Sequence, residues 1–169
     1  MIEFKLKDRP MRLIDGVFYA RAIWRGKETI NEKWNKVLFF EKTTGYLYCS
    51  LALNKVIHKV VQHRLVWYAH HQEWDIWDTS RDNLIDHKNK DKKDNRLCNL
   101  HVVTHAENTQ NRDCKGCGFD KARNKWRARI YFNGKEERIG YYDTFEEAHE
   151  AYLAKKRILH PFFVENEEL

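Results

Sequence analysis

A chain of 169 residues can build one to three small units but not one large core. Its formal charge of +6 and pI of about 9.1 point to an anionic partner, nucleic acid being the usual one, although a merely basic protein has the same composition. Without a run of about 18 apolar residues no membrane span is expected, and Met1-Ile2-Glu3-Phe4-Lys5 is too charged for a signal peptide.

Residues 1–61 are read as a β-rich region. Val17–Trp24, Trp34–Phe40, Tyr46–Leu53 and Val56–Val61 are rich in aromatic and branched side chains, with turns at Thr43-Thr44-Gly45 and Leu53-Asn54-Lys55. A small antiparallel sheet is expected there. Residues 62–112 change character. His63–His70 has Leu65, Val66 and Ala69 at helical spacing. Asn83–Asp86 reads as a short strand, Lys88–Asn95 as a polar loop and Leu100–Val103 as a second strand. Thr104, with Glu107 three residues on, is a capping box that opens a helix.

Residues 113–169 form the third segment. Trp126, Ala128, Ile130 and Phe132 alternate with Arg127, Arg129 and Tyr131, so one face is apolar and the other basic. Asn133-Gly134 is a hairpin turn, Glu136–Tyr142 the returning strand, and Thr144 with Glu147 caps a helix that Pro161 stops. Ala148, Ala151, Tyr152 and Leu159 are its expected sheet-facing stripe. Cys49, Cys98, Cys114 and Cys117 are few and scattered, which suits free thiols in a reducing, intracellular setting. Cys114 and Cys117 form a single CxxC. Structural zinc there needs two further ligands, and two ordinary thiols in a turn is the commoner meaning.

The central segment carries the chemistry. Asp86 offers a hard oxygen ligand and His87 an imidazole beside it. Asn99 opens the second strand, and Asn108 returns an amide oxygen from the helix. Consecutive strand residues point opposite ways, so Asp86 and His87 serve one ligand only if the strand ends there. Asn99 is placed to bond the loop backbone and to fix the imidazole's orientation and tautomer. A neutral imidazole can deprotonate water, while a divalent cation neutralises charge on phosphorus oxygens and on a leaving alkoxide. Mg²⁺ accepts few protein ligands and keeps several waters, which one carboxylate and one amide would allow.

His63-Arg64-Leu65-Val66, Asp86-His87, Asn95-Arg96-Leu97-Cys98-Asn99-Leu100 and Thr104–Asn108 together resemble the HNH endonucleases with their ββα-metal motif, closest to the phage and intron homing branch. The resemblance implies His87 as general base, Asp86 and Asn108 as ligands of Mg²⁺ or Mn²⁺, and Asn99 holding the motif together. It also implies 5′-phosphate and 3′-hydroxyl ends. The last metal position is Asn rather than the His of the family name, with His105 nearby. His58, His70, His71, His101, His149 and His160 are assigned to surface or packing. His63 is a structural candidate, and Arg64 is open between phosphate contact and a structural role.

The third segment resembles the AP2 domain through Lys115-Gly116, Trp126–Ile130, Arg138–Phe145 and Glu146–Tyr152. That resemblance implies a sheet laid in the major groove. Arg127, Arg129, Tyr131 and Arg138 would then read bases, and Lys121, Arg123 and Lys125 would meet phosphates. Gly118, Phe119 and Asp120 depart from the basic opening of plant relatives, so the bases read are open. A solvated basic face is the alternative for the arginines, as a solvated loop is for Lys88, Lys90, Lys92 and Lys93.

The sequence is thus read as α+β: an N-terminal antiparallel sheet region, a central ββα-metal unit and a C-terminal three-stranded sheet with one helix. The implied function is site-specific, metal-dependent cleavage of double-stranded DNA by a monomer that nicks or a homodimer that cuts both strands. The setting would be the cytoplasm of a bacterial host. A DNA-binding regulator with a non-catalytic HNH motif and a zinc-stabilised HNH restriction-type nuclease are the rivals.

Overall fold

A computed structural model describes residues 1–23, 30–112 and 115–165. The fold is α+β, with several antiparallel sheets and few helices. It divides into two compact units, Met1–Val102 and Val103–Leu169.

The first unit begins with β1 (Ile2–Leu6), β2 (Arg9–Ile14), β3 (Val17–Ile23) and β4 (Ile30–Lys36), hydrogen-bonded in sequence order. β1 and β2 were not anticipated. Their apolar residues alternate with charged ones, and only the inward set, Phe4, Leu6, Met11 and Leu13, is buried. The expected strand over 34–40 is divided: β4 ends at Lys36, and β5 is the short Phe40–Glu41. Trp24, the expected end of β3, lies outside the described residues.

β5 pairs with β6 (Leu47–Leu53), which pairs with β7 (Val56–Val61). Along β6 every second residue turns inward, so Cys49, Leu51 and Leu53 are buried while Ser50 and Ala52 are exposed. α1 (Gln62–His70) follows directly and buries His63, Leu65, Val66 and Ala69. β8 (Leu84–His87) and β9 (Leu100–Val103) form a two-stranded sheet, with a 3₁₀ turn at Leu97–Asn99 between them.

One core serves all of this. Phe4, Met11 and Phe18 of the first sheet, Leu51, Leu53 and Val60 of the second, Leu65 and Ala69 of α1, Ile85 of β8 and Leu100 of β9 share a cluster. Residues 1–61 and the segment after them are therefore packed together, although composition separates them. Leu6, Leu53 and Leu65 have no exposed surface, so truncating any to Ala removes about 2–5 kcal/mol.

In the second unit, α2 (His105–Gln110) is short, and β10 (Cys117–Asp120), β11 (Lys125–Phe132) and β12 (Lys135–Tyr142) form an antiparallel sheet. Asn133 and Gly134 both take positive φ (48° and 77°), the geometry a two-residue hairpin turn requires. α3 (Phe145–Leu159) starts at a complete Thr144–Glu147 capping box. Ala128 and Ile130 meet Ala148 and Tyr152 in a small core. Ala151 and Leu159 of the expected stripe are half-buried, and the residue that joins Ala148 and Tyr152 in full burial is Lys156. Its ammonium donates to the Arg112 carbonyl at 2.8 Å and stands 4.0 Å from the Phe163 ring centre.

Candidate active site and basic sheet face

Arg64 prepares the ground for β8. From α1 its guanidinium donates to the carbonyls of Ile76 (2.7 and 3.0 Å), Asn83 (3.0 Å), Asp78 (2.6 Å) and Asp75 (3.4 Å). It also stacks 4.5 Å from the Trp74 ring centre. A planar fork suits this convergence, which an ammonium cannot reproduce. Arg64 was carried forward as a candidate DNA contact. Its donors are spent on the 75–83 loop, and the structural role is the one observed.

β8 ends at His87, and burial alternates along it: Ile85 and His87 are buried, Leu84 and Asp86 half-buried. His87 is thus the inward residue and Asp86 the half-buried one where the strand ends, and Tyr46 neighbours both. On the half-buried side, Asp86 Oδ2 lies 3.2 Å from His101 Nε2 on β9. Burial, followed by the negative charge of Asp86, pushes the Tyr46 phenol up from its ordinary value.

His87 is only 3% exposed. Its Nε2 is 2.9 Å from Asn95 Oδ1, and Asn95 Nδ2 donates to Gln62 Oε1 at 3.1 Å. Because the amide nitrogen of Asn95 serves Gln62, its oxygen faces the ring, and an oxygen only accepts. That amide orientation pairs with the Nε2–H tautomer of the neutral ring. The His63 ring stands edge-on at 5.1 Å and Tyr46 lies at 6.0 Å. Burial first, and then the neighbouring His87 and Arg64 charges, push the His63 pKa down to about 3. His63 is a neutral wall of this nest.

Asn99 does bond the loop backbone, as expected. Its Oδ1 accepts from Asn89 N (3.0 Å), and its Nδ2 donates to Asp94 O and Asn89 Oδ1 (both 2.8 Å). Its side-chain hydrogen bonds go to the loop rather than to the imidazole. It locks the 88–95 loop, and the loop presents Asn95 to the ring. Three loop lysines are occupied: Lys88 Nζ donates to Cys98 O, Lys92 Nζ to Thr44 O, and Lys93 pairs with Glu41.

In the second unit the Thr104–Glu107 capping box is complete, and Asn108 sits half-buried in α2 with its N–H on Thr104 O at 2.9 Å. The sheet places Arg127 opposite Tyr141, Arg129 opposite Arg138 and Tyr131 opposite Glu136, all on the side away from the buried Ala128 and Ile130. The anticipated basic face is therefore one surface, with a register shift between Ala128 and Arg129. Arg123 and Arg138 lie over the Tyr141 ring at 5.0 and 5.6 Å. Arg129–Glu136, Arg123–Asp120 and Lys125–Asp143 are surface ion pairs of 2.8, 3.2 and 2.9 Å. Exposed pairs of this kind hold weakly, so a phosphate can displace the carboxylate.

Sequence reasoning missed Tyr46, Gln62, Asn95 and His101. His101 lies on β9 just after the turn that ends at Asn99, and nothing in the spacing told that Asp86 lies across from it. Among the described residues no three His, Cys, Asp or Glu side chains gather as a metal centre. A site of one carboxylate and one amide would not form such a group. Cys117 is half-buried, and Cys114 lies outside the described residues. No helix of the described residues is long and apolar enough to cross a membrane. No protein-family model, curated protein or solved structure matches the chain.

Proposed function

We propose that this chain is a site-specific, metal-dependent DNA endonuclease of the HNH homing type. One observation carries the reading: a carboxylate and an imidazole end one short strand, and the loop to its partner strand is locked by a single asparagine that fixes the imidazole through Asn95. The order of β8, β9 and α2, and the resemblance of residues 63–108, support it.

By the resemblance, Asp86 and Asn108 would be the oxygen donors for Mg²⁺ or Mn²⁺, and their hard-ligand chemistry fits either ion. The ion would supply Lewis-acid stabilisation of phosphate oxygens and of the leaving 3′ oxygen. His87 takes the proton of the attacking water on its imidazole, with Asn95 against Nε2. Asn99 is a positioning residue. Arg127, Arg129, Tyr131 and Arg138 read bases in double-stranded DNA, and Arg123 and Lys125 hold its backbone. One such site cuts one strand, so a monomer nicks and a homodimer or a second visit breaks the duplex. Action in a bacterial cytoplasm, from a phage or intron gene, belongs to the same reading.

One observation favours a second reading, a DNA-binding regulator that does not cut: the deep burial of His87, which a base that must meet water does not need. A plasmid-nicking assay with Mg²⁺ or EDTA, using native protein and His87→Ala, separates the two. Metal-dependent nicking lost in His87→Ala with DNA binding kept supports the nuclease. DNA binding without nicking by native protein supports the regulator, and equal nicking by the variant removes His87 as base.

A further inference from the structure

We infer that His101 is a ligand of the same divalent cation as Asp86, so that the site is an oxygen–nitrogen pair across β8 and β9. The inference rests on the nuclease reading and changes which ions its site prefers.

His101 Nε2 stands 3.2 Å from Asp86 Oδ2, and the two side chains are 19% and 15% exposed. A charge-assisted N–H···O bond is normally about 2.7–2.9 Å, so this separation is long for an ion pair drawn together by its own attraction. Two neighbouring ligand atoms on one octahedral cation, each about 2.1 Å from it, lie about 3.0 Å apart at a right angle. The observed spacing is close to that bite. The atom facing the carboxylate is the distal ring nitrogen, Nε2, which binds a metal when it carries no proton. Both side chains come from adjacent strands of one short sheet, so binding requires little rearrangement. An imidazole beside the carboxylate favours Mn²⁺, Co²⁺, Ni²⁺ or Zn²⁺ over Mg²⁺, which prefers oxygen alone.

The test is Mn²⁺ binding followed by pulsed electron paramagnetic resonance, with native protein, His101→Ala, His101→Asn and Asp86→Ala. Native protein should bind Mn²⁺ with a nitrogen coupling from a directly bound imidazole. The His101 variants should lose that coupling and at least roughly tenfold in affinity, the cost that even loss of an outer partner carries. Asp86→Ala should lose binding altogether. No coupling in native protein, or coupling retained in the His101 variants, overturns the inference. If Asp86→Ala still abolishes binding in that case, the nuclease site itself stands. Equal binding by Asp86→Ala and native protein removes the site and the inference together. Should the His101 variants fail to fold, Zn²⁺ titration of native protein carrying ¹⁵N-histidine decides, because only a ligating His101 Nε2 shifts strongly.

Discussion

Acidification should unlock the imidazole nest through His63. This ring is 8% exposed and stands edge-on to Tyr46 at 5.2 Å and to His87 at 5.1 Å. Its folded pKa is about 3 against an ordinary 6.5. Between those values the unfolded chain holds a proton that the native state refuses. Stability therefore rises with pH across the window and is lost as pH falls from about 6.5 towards 3. Each pH unit is worth about 1.4 kcal/mol, so about 2 kcal/mol should vanish between about pH 7 and pH 5, and no more than about 5 over the full window. Asp94, held down to about 2 chiefly by its bond from Arg96, titrates at lower pH, and His160, also lowered by burial, cancels in the comparison with a His63 variant. Urea denaturation at several pH values, on native protein and His63→Gln, isolates the effect: the difference between the two stability curves should narrow by about 2 kcal/mol over that range. Parallel curves would show that His63 accepts a proton in the native state and that the nest is wetter than its packing implies.

Arg64→Lys should cost about 2–3 kcal/mol in denaturant midpoint, because one ammonium cannot serve the four carbonyls the guanidinium now holds. Gly116→Ala should destabilise the second unit by about 2–4 kcal/mol in a thermal melt. Its φ of +63° is unfavourable for alanine, and the added Cβ would sit 2.1 Å from Tyr152 ring carbons. Arg127→Ala with Arg129→Ala should weaken specific DNA binding by roughly 1–3 kcal/mol per lost bidentate contact, and an unchanged footprint would refute the reading face. Asn99→Ala should release the 88–95 loop, seen as faster amide exchange at Asn89, and reduce nicking while leaving DNA affinity intact.

Periodicity and capping made α1, β9, β11, β12 and the starts of α2 and α3 legible, because each pattern is local to its element. The lysine of α3 was hidden because its burial depends on the Arg112 carbonyl, which is far away in sequence. β1 and β2 were overlooked because their charged residues masked a two-residue alternation. At the site, Asp86, His87 and Asn99 were visible as a spaced pattern. The partners that give them geometry were not: Asn95 reaches His87 across a loop, Tyr46 arrives from the turn before β6, and His101 meets Asp86 only through strand pairing. Residue spacing reports on one element at a time, whereas these contacts are made between elements. Arg64 was open between phosphate contact and a structural role, and spacing alone could not show that main-chain oxygens of the 75–83 loop are its partners.

The common core of the first unit has a bearing on any attempt to trim this molecule. Cutting the chain before α1 to obtain a minimal catalyst would strip Leu65, Ala69 and Ile85 of their covering and take Tyr46 away from His63 and His87. The smallest fragment able to keep the imidazole in place therefore starts at the first strand, and what composition marks as a separate region is the wall against which the His87 ring is packed.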